Sequence, residues 1–413
     1  MWVVELYKFC REDYNGEVIQ SPMYKNLLIN SFKECFEYPF YTYDEHFKGE
    51  NICSFPSRIV FRDYLIGRYQ KFQIEKYIKF NTVLQYLTYD ETKKKFLAIY
   101  NDYNTNEMKN DEFDYCIIAS GRFGAPYYPI IPGVESFKGN IIHSKYFKDA
   151  SQYQDKKVCI VGANLSGEDI GILLYKYKAK KVTLVHKEKP RCSFPEDVIE
   201  AKQNITKIDG NKCYFGDDTS DEYDCIILAT GYKFHFPYLD SKLKFYDNTK
   251  TLYPSSLYKG VVFHENNNLF YLGMQNQIYT TLIFDVQAFY VKEIIIKNIN
   301  LPDKEEMEKD YLIHKEKLDK CKNIYELARF QNGYIREVAN LSSYKNFKID
   351  YELLNRQFDD FLDAKAKNML TFRDTNYISS ITGIKSILHS KPYMEEFDDS
   401  YENYVKQKEM IKK

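Results

Sequence analysis

The chain has 413 residues, enough for one large domain or two ordinary domains with well-filled cores. Its 58 Lys and Arg residues balance 59 Asp and Glu residues, which leaves no net field to attract nucleic acid or an anionic membrane surface. The nine scattered cysteines form no Cys-x-x-Cys pair, and no apolar run reaches transmembrane or signal-core length. We therefore expect a cytoplasmic protein with no membrane partner, no nucleic acid partner and no metal site.

The first third of the chain contains short apolar patterns separated by polar turns. Residues 58–72 are predicted to form an amphipathic helix, because Ile59, Tyr64 and Leu65 fall at helical spacing. The other apolar runs predict a strand over residues 1–6, a helix over 24–31, and strands over 78–84, 95–100 and 114–121.

The centre of the chain contains a strand, a tight glycine turn, a helix and a second strand in succession. Residues 157–161 are β-branched and apolar and end at Gly162, which predicts a buried strand. Residues 166–177 carry apolar side chains at helical spacing, and residues 181–187 predict another strand. Such a unit places a pyrophosphate on a helix N-terminus, so we predict a dinucleotide site here. The alternative is an ordinary strand–turn–helix whose glycines serve packing alone.

Several positions of this turn bear on phosphate binding. Gly162 permits the sharp bend out of the strand, and Gly167 allows the helix to pack closely on it. Asn164 stands where a second glycine would let the backbone approach phosphate oxygens, and Asn tolerates left-handed backbone angles best among side chains. Ser166 adds a hydroxyl near the start of the helix.

The end of the second strand selects between NAD and NADP. An acidic residue there would bind the ribose 2′-hydroxyl of NAD, whereas His186 and Lys187 stand first and favour a 2′-phosphate. Glu188 follows them directly, and this acidic residue could instead bind the ribose 2′-hydroxyl of NAD. The sequence therefore favours NADP.

The second half of the chain repeats one arrangement from the first. Residues 114–121 and 224–231 each predict a buried strand that ends in Ala-(Ser/Thr)-Gly. In two-dinucleotide flavoproteins, such strands end each nucleotide domain, where glycine allows close approach to the cofactor. The remaining patterns predict strands over 213–215 and 269–275, a helix over 285–297, and a charged, helical region from Pro302 that ends in a polar tail.

Several segments together form a recognisable pattern. Phe137, Gly139 and His143 stand at the spacing Phe-x-Gly-x-x-x-His, with Phe147 at a final aromatic position, and residues 226–232 add Ala-Thr-Gly-Tyr. These segments resemble the signatures of the flavin-containing monooxygenases. Within that family, the chain is most similar to the bacterial trimethylamine monooxygenases, through residues 167–171, 175–181, 258–262, 273–277 and 369–374.

The resemblance implies an α/β fold with two dinucleotide-binding, Rossmann-like domains. An NADP-binding domain over 150–240 would be inserted in an FAD domain formed by residues 1–149 and 241–413, the last part with a helical C-terminal region. The implied cofactors are FAD and NADP. NADPH would reduce the flavin, and one oxygen atom of O₂ would then pass to a soft nucleophile, an amine or a sulfide.

The resemblance also implies roles for individual residues. Asn30 matches the asparagine that holds the NADP⁺ amide and the flavin–oxygen intermediate; read alone, it would be a helix-end cap. His143 is expected to be structural rather than catalytic. Lys187 matches an arginine on the 2′-phosphate, as a point charge without the fork geometry. The expected cofactor contacts are Trp2, Gln20, Val83, Gln277 and Thr280 around FAD, and Gly162, Asn164, Leu165, Ser166, Gly167 and His186 around NADP.

The sequence departs from the family pattern at the start of the FAD domain. The family begins with a Gly-x-Gly-x-x-Gly unit that binds the FAD pyrophosphate, and this sequence has no such loop, so we expect an N-terminally incomplete FAD domain. Ile278 and Leu28 stand where the family has tryptophans. The alternatives to an N- or S-oxygenase are therefore an uncoupled NADPH oxidase or a catalytically inactive, FAD-deficient remnant. The sequence leaves open whether the protein forms a homodimer.

Overall fold

The computed structural model describes residues 21–187, 190, 192–247 and 249–411. The strand expected over residues 1–6 and the expected contacts Trp2 and Gln20 lie outside these ranges, as does Glu188. Within the described ranges, no helix is both long and apolar enough to cross a membrane.

The helices lie mainly in the C-terminal half, and the strands lie mainly between residues 82 and 271. The helices are α1 Tyr43–His46, α2 Arg58–Lys71, α3 Leu165–Lys176, α4 Thr280–Ile295, α5 Lys304–Asp319, α6 Ile324–Asn340, α7 Tyr351–Lys367 and α8 Tyr401–Ile411. The strands are β1 Thr82–Asp90, β2 Lys95–Asp102, β3 Glu107–Phe113, β4 Cys116–Ile118, β5 Ala125–Pro126, β6 Asn140–His143, β7 Lys157–Val161, β8 Lys181–His186, β9 Ile199–Gln203, β10 Ile205–Asp209, β11 Lys212–Phe215, β12 Ser220–Glu222, β13 Cys225–Leu228, β14 Tyr232–Lys233, β15 Leu257–Tyr258, β16 Val262–Phe263 and β17 Leu269–Tyr271.

The largest sheet is parallel and has the order β6-β13-β7-β8-β9. Its central strands are almost uniformly apolar, since parallel strands with both faces covered must bury every side chain. Helix α3 returns across β8 and completes the strand–turn–helix–strand unit that the sequence predicts. Strand β6, which precedes the expected domain boundary at residue 150, is hydrogen-bonded into this sheet.

A second sheet has the order β15-β16-β17-β4, in which β4 and β17 are parallel. The connections that leave β4 and β13 run side by side, because β5 pairs with β14 in an antiparallel ladder. The two Ala-(Ser/Thr)-Gly segments therefore follow strands of two different sheets that are joined at one place. Strands β1, β2 and β3 form a separate antiparallel sheet, and β10, β11 and β12 form another.

One buried apolar cluster extends from β7, β8 and α3 to the C-terminal helices α4, α6 and α7. Helix α6 contributes a regular inward stripe, because Ala328, Ile335 and Val338 recur at helical spacing and are at most 1% exposed. The C-terminal helices and the first sheet consequently share a continuous interior.

The helix predicted over residues 24–31 is wrong. Asn26 has a left-handed φ of +64°, and Leu28 makes a β-bridge with Ser57, so this segment is extended rather than helical. The amide N–H of Ile29 also donates to the carbonyl oxygen of Pro56 at 3.2 Å. The local apolar pattern was therefore overridden by backbone pairing with a segment almost thirty residues away.

Other boundaries differ from the predictions in informative ways. Strand β1 begins at Thr82, later than predicted, and β3 was missed because its largely exposed, charged sequence lacks apolar alternation. Helix α4 begins at Thr280, five residues before the prediction. The end of the chain is also less exposed than a polar tail would be, because the side chains of Arg373, Tyr377 and Tyr393 are buried in the interior.

Candidate active site

The turn between β7 and α3 brings three backbone segments into close contact. Gly162 has a φ of +111°, and a Cβ atom there would lie 2.3 Å from the carbonyl oxygen of Ala229, just after β13. A Cβ atom on Gly167 would lie 1.8 Å from the carbonyl oxygen of Gly162. Side chains at either position would push the helix away from the two strands, so both glycines are needed for this geometry.

Asn164 does not adopt the left-handed conformation for which the sequence interpretation valued it. Its φ is −115°, and it is the N-cap of α3, with its Oδ1 accepting the Leu165 N–H at 2.8 Å. Asn164, Leu165 and Ser166 are all exposed. The first N–H groups of a helix have no partner within the helix, so this exposed first turn suits the phosphates of a dinucleotide.

Two basic positions lie beside that turn. Val161 pairs with Val185 across the parallel ladder, and the Gly162 N–H donates to the Val185 carbonyl oxygen at 2.9 Å. Strand β8 then ends at the half-buried His186, and Lys187 follows as an exposed side chain. Lys187 stands two residues beyond Val185, the ladder partner of Val161, and an exposed ammonium beside the glycine turn fits the additional phosphate of NADP.

The segment that carries Asn30 lies between α3 and α4. The Tyr24 hydroxyl donates to Asp169 on α3, and the Thr281 hydroxyl on α4 donates to the Cys35 carbonyl oxygen at 3.4 Å. Asn30 is exposed between these two attachment points. It caps no helix, since the short 3₁₀ turn that follows begins after Phe32, and this removes the alternative interpretation as a helix-end cap.

Gln277 and Thr280 lie at the approach to α4. The loop after β17 bends at Gly273, whose φ is +70°, and the Gln277 Nε2 donates to the Gly273 carbonyl oxygen at 2.5 Å. Thr280 is the first residue of α4, and the N-cap residue Tyr279 supplies no side-chain bond to the helix. An amide, a hydroxyl and the N–H groups of an uncapped helix form a donor and acceptor set that fits the polar edge of a flavin ring.

Val83 does not join this cluster through any hydrogen bond that the described structure shows. It lies near the start of β1, opposite Asn101, and is half-buried. The antiparallel sheet that contains it is attached to the region after β14, where the Leu87 N–H donates to the Tyr238 carbonyl oxygen at 2.7 Å.

The sequence interpretation missed Arg122, which directly follows Gly121 at the end of the first Ala-(Ser/Thr)-Gly segment. Its guanidinium donates to the carbonyl oxygens of Gln275 and Thr249, and burial lowers its pKa to about 10. Arg122 thus attaches the segment that follows β4 to the loop that carries Gln277. A basic residue immediately after the predicted close-approach glycine was the available signal.

The structure contains two units with parallel strands that end in the same glycine pattern, and a connecting segment joins α3 to α4. This arrangement defines a flavoprotein with two dinucleotide-binding, Rossmann-like domains. The family model described as flavin-binding monooxygenase-like matches residues 3–190 and 176–362. The chain belongs to this family. It is accordingly a flavin-dependent monooxygenase with FAD and NADP as cofactors, as the sequence resemblance implied.

Individual relatives agree with this assignment. The chain is 37% identical to the trimethylamine monooxygenase of Pelagibacter ubique (strain HTCC1002) over 95% of its own length and 87% of the relative. It is 36% identical to the trimethylamine monooxygenase of Methylocella silvestris, over 95% and 86% of the two chains. The crystal structure of Tmm from Pelagibacter sp. strain HTCC7211 superimposes with a TM-score of 0.91 at 36% identity, over 96% of this chain and 89% of that one.

Proposed function

We propose that this protein oxygenates the nitrogen of a small tertiary amine, with trimethylamine as the first compound to test. The relatives that are 36–37% identical over almost the whole chain are trimethylamine monooxygenases. The structural observation that carries the proposal is the position of the Asn30 segment. It joins the phosphate-binding end of α3 to the N-terminal end of α4 through Tyr24 and Thr281.

The chain's own residues divide the work of binding and orientation. Gly162, Gly167 and the exposed first turn of α3 hold the phosphates of NADP, and Lys187 neutralises the 2′-phosphate. Gln277 and Thr280 orient the flavin ring. When bound, these cofactors supply the electrons and the activated oxygen.

Asn30 contributes an amide that can donate and accept hydrogen bonds without a change of charge. That property suits a group placed between two cofactors whose charges change during the reaction. We expect Asn30→Asp to place a negative charge at this position and to reduce amine oxygenation by about a hundredfold. The matched control is Asn346→Asp, which adds the same charge at an exposed asparagine in another part of the chain.

This proposal divides the chain into three segments. Residues up to about 139 and from 241 onward form the flavin part, and residues 140–240 form the NADP-binding part. The boundary lies before β6, because that strand is paired with β13.

A sulfide is the second candidate substrate, and one side chain favours it. Ile278 is half-buried in the loop that carries Gln277, where the family resemblance leads one to expect a tryptophan. An aromatic face attracts an alkylammonium group, and an isoleucine at this position does not supply that attraction, whereas contact with an uncharged sulfide does not require it. The choice between amine and sulfide therefore depends on the walls of the site rather than on the cofactors.

The test uses the purified chain with added FAD. A flavin absorption band that survives gel filtration, followed by NADPH consumption that depends on trimethylamine and yields its N-oxide, supports the proposal. NADPH consumption that depends on dimethyl sulfide but not on trimethylamine shows that the substrate is a sulfide rather than an amine. NADPH consumption that is independent of both, with peroxide as product, indicates an uncoupled oxidase, and the absence of a flavin band indicates a chain that does not retain FAD.

A further inference from the structure

Two buried glutamines hold the loop between β17 and α4, which carries Gln277 and leads into Thr280. Gln287 lies on α4 and Gln331 lies on α6, and each is at most 1% exposed. A buried amide is unfavourable unless its polar atoms are hydrogen-bonded, so the partners of these two side chains are informative.

Gln331 binds the peptide groups on both sides of Gln277. Its Nε2 donates to the Asn276 carbonyl oxygen at 2.7 Å, and its Oε1 accepts the Ile278 N–H at 2.5 Å. The same Oε1 accepts the Tyr279 N–H at 3.2 Å. One carboxamide therefore holds the backbone immediately before and immediately after Gln277, the residue that we propose as a flavin contact.

Gln287 holds the beginning of the same loop. Its Oε1 accepts the Gly273 N–H at 2.8 Å, and its Nε2 donates to Gln275 Oε1 at 2.7 Å and to the Tyr334 hydroxyl at 2.9 Å. Tyr334, which lies one turn along α6 from Gln331, in turn donates to the Lys259 carbonyl oxygen at 2.8 Å. The loop is thus attached to α4 and α6 at several points along its length.

The residue type at position 331 points to this role. The rest of the inward stripe of α6 is largely apolar, and an apolar side chain there would pack against α4 and α7 without a need for partners. A glutamine can accept from two N–H groups and donate to a carbonyl oxygen at once, which no charged carboxylate can do. The carboxamide of Gln331 therefore matches both polarities of the loop backbone, with its oxygen on two N–H groups and its nitrogen on a carbonyl oxygen.

We propose that Gln331 is a positioning residue for the oxygenation reaction. It holds the peptide groups that flank Gln277 and thereby sets the distance and angle at which Gln277 and the first turn of α4 meet the flavin. This inference rests on the proposed function for its kinetic consequences, whereas its effect on the loop is independent of substrate. Displacement of a positioning group by about 1 Å can reduce a rate by about a hundredfold.

The structure offers a matched control in Gln357 on α7. Its Oε1 accepts the Ile378 N–H at 2.5 Å and its Nε2 donates to the Ile378 carbonyl oxygen at 2.8 Å. Gln357 is also buried, at 6% exposure, but it holds a segment beyond α7 and has no bond to the loop of Gln277. Gln331→Leu and Gln357→Leu therefore remove the same chemistry from two different loops.

The first measurement is hydrogen exchange of the purified protein in the presence of added FAD, compared with the same protein without FAD. We expect Gln331→Leu to increase exchange over residues 272–279 by about tenfold relative to wild type, whereas Gln357→Leu leaves that segment unchanged. Equal exchange in the two variants overturns the proposal. This readout requires no substrate, so it remains decisive even if the wild-type protein oxygenates neither trimethylamine nor dimethyl sulfide.

The second measurement is the amount of oxygenated product formed per NADPH consumed. Gln331→Leu should lower this ratio by about tenfold with little change in KM for NADPH, and Gln357→Leu should not lower it. In Gln331→Glu, the introduced carboxyl group can donate to the Asn276 carbonyl oxygen only when it is protonated. Product per NADPH should therefore rise as the pH falls in this variant, and the same pH profile as wild type contradicts a positioning role. If Gln331→Leu does not fold, Gln331→Glu provides both readouts.

Discussion

The Nε2 of His143 donates a hydrogen bond of 3.0 Å to the carbonyl oxygen of Gly231. The Nδ1 of the same ring accepts the Lys145 N–H at 3.1 Å, and these two partners together assign a neutral imidazole with its proton on Nε2. The bond joins the end of β6 to the glycine that follows β13. Two motifs that are almost ninety residues apart in the sequence therefore meet at one hydrogen bond.

His143 should make the protein less stable in mild acid. Burial lowers its pKa to about 4 in the folded protein, compared with 6.5 for an ordinary histidine. Between these values the unfolded chain binds a proton that the folded chain does not, so the free energy of unfolding falls as the pH decreases from about 6.5 to about 4.

The variant His143→Gln keeps an Nε2 donor but has no side-chain group that binds a proton between about pH 4 and pH 6.5. We expect it to reduce the acid-induced loss of stability by about 3 kcal/mol, at about 1.4 kcal/mol per pKa unit. Denaturant unfolding at several pH values between 7.5 and 4.5 measures the effect. Parallel stability curves for wild type and variant would show that His143 is not responsible.

Glu37 should have the opposite pH dependence. Burial raises its pKa from 4.5 to about 7, although the Ser379 hydroxyl and the Tyr43 N–H donate to its two oxygens. The folded protein therefore keeps a proton that the unfolded chain has already lost, and stability decreases as the pH rises from about 4.5 to about 7.

Glu37→Gln preserves the size of the side chain and an acceptor for the Tyr43 N–H, and the Ser379 hydroxyl can accept from the new amide. We expect the variant to be more stable than wild type at pH 8, by about 3 kcal/mol, and similar to it at pH 4.5. The midpoint of denaturant unfolding at the two pH values tests this. A variant that is destabilised equally at both values would contradict the assignment.

Two glycines of α3 should respond differently to the same change. Gly167→Ala places a Cβ atom 1.8 Å from the Gly162 carbonyl oxygen, which forces the helix away from β7. We expect a loss of about 3 kcal/mol in stability and weakened NADP binding, measured by thermal unfolding and by titration of NADP.

Gly171→Ala is the matched control on the same helix. Its Cβ atom would lie 3.4 Å from a methyl carbon of Leu184, an ordinary packing distance. The higher helix propensity of alanine should then give unchanged or slightly increased stability, by up to about 1 kcal/mol, and unchanged NADP affinity. Equal damage at both positions would remove the special role of Gly167.

Lys187 should control the preference for NADPH over NADH. Loss of one charge-assisted contact to a 2′-phosphate corresponds to about 1.4 kcal/mol, so Lys187→Ala should raise KM for NADPH about tenfold and leave KM for NADH unchanged. Lys187→Arg should retain or improve the preference, because a guanidinium binds phosphate through two parallel bonds.

Lys180 provides the control for net charge. It is an exposed lysine that precedes β8, at the opposite end of the strand from Lys187. Steady-state kinetics with both nucleotides should give wild-type values for Lys180→Ala. If the two alanine variants raise KM for NADPH equally, the effect is a general loss of positive charge rather than a contact with the 2′-phosphate.

The regions that the sequence predicted correctly are those whose structure depends on nearby residues. Strand β7 begins and ends as predicted, because a short apolar run bounded by Gly162 has few other ways to bury its side chains. Helix α2 follows its prediction to within one residue for a similar reason. The family assignment was also correct, since glycine patterns and aromatic spacings are local features.

The errors share a different cause. The segment around Leu28 has a helical apolar pattern, but its backbone pairs with Ser57 and is attached to α3 and α4 by distant side chains. Strand β3 has too few apolar residues to be recognised and exists because β2 pairs with it. The partner of Leu28 lies almost thirty residues away, whereas the partner of β3 is the adjacent strand β2 of the same hairpin. In both cases backbone pairing, rather than the apolar pattern of the segment, decides the conformation.

By itself, the sequence determined the class of fold, the glycine turn for a dinucleotide and the chemistry of the family, because these depend on residues that are close together in the chain. Only the tertiary structure decided how the loop of Gln277 is held. Gln331 lies 53 residues from the peptide group that it binds, and no local pattern marks it among the other residues of α6. Hydrogen bonds between distant segments require two surfaces to meet in one geometry, and only the packing of α4 and α6 brings these surfaces together.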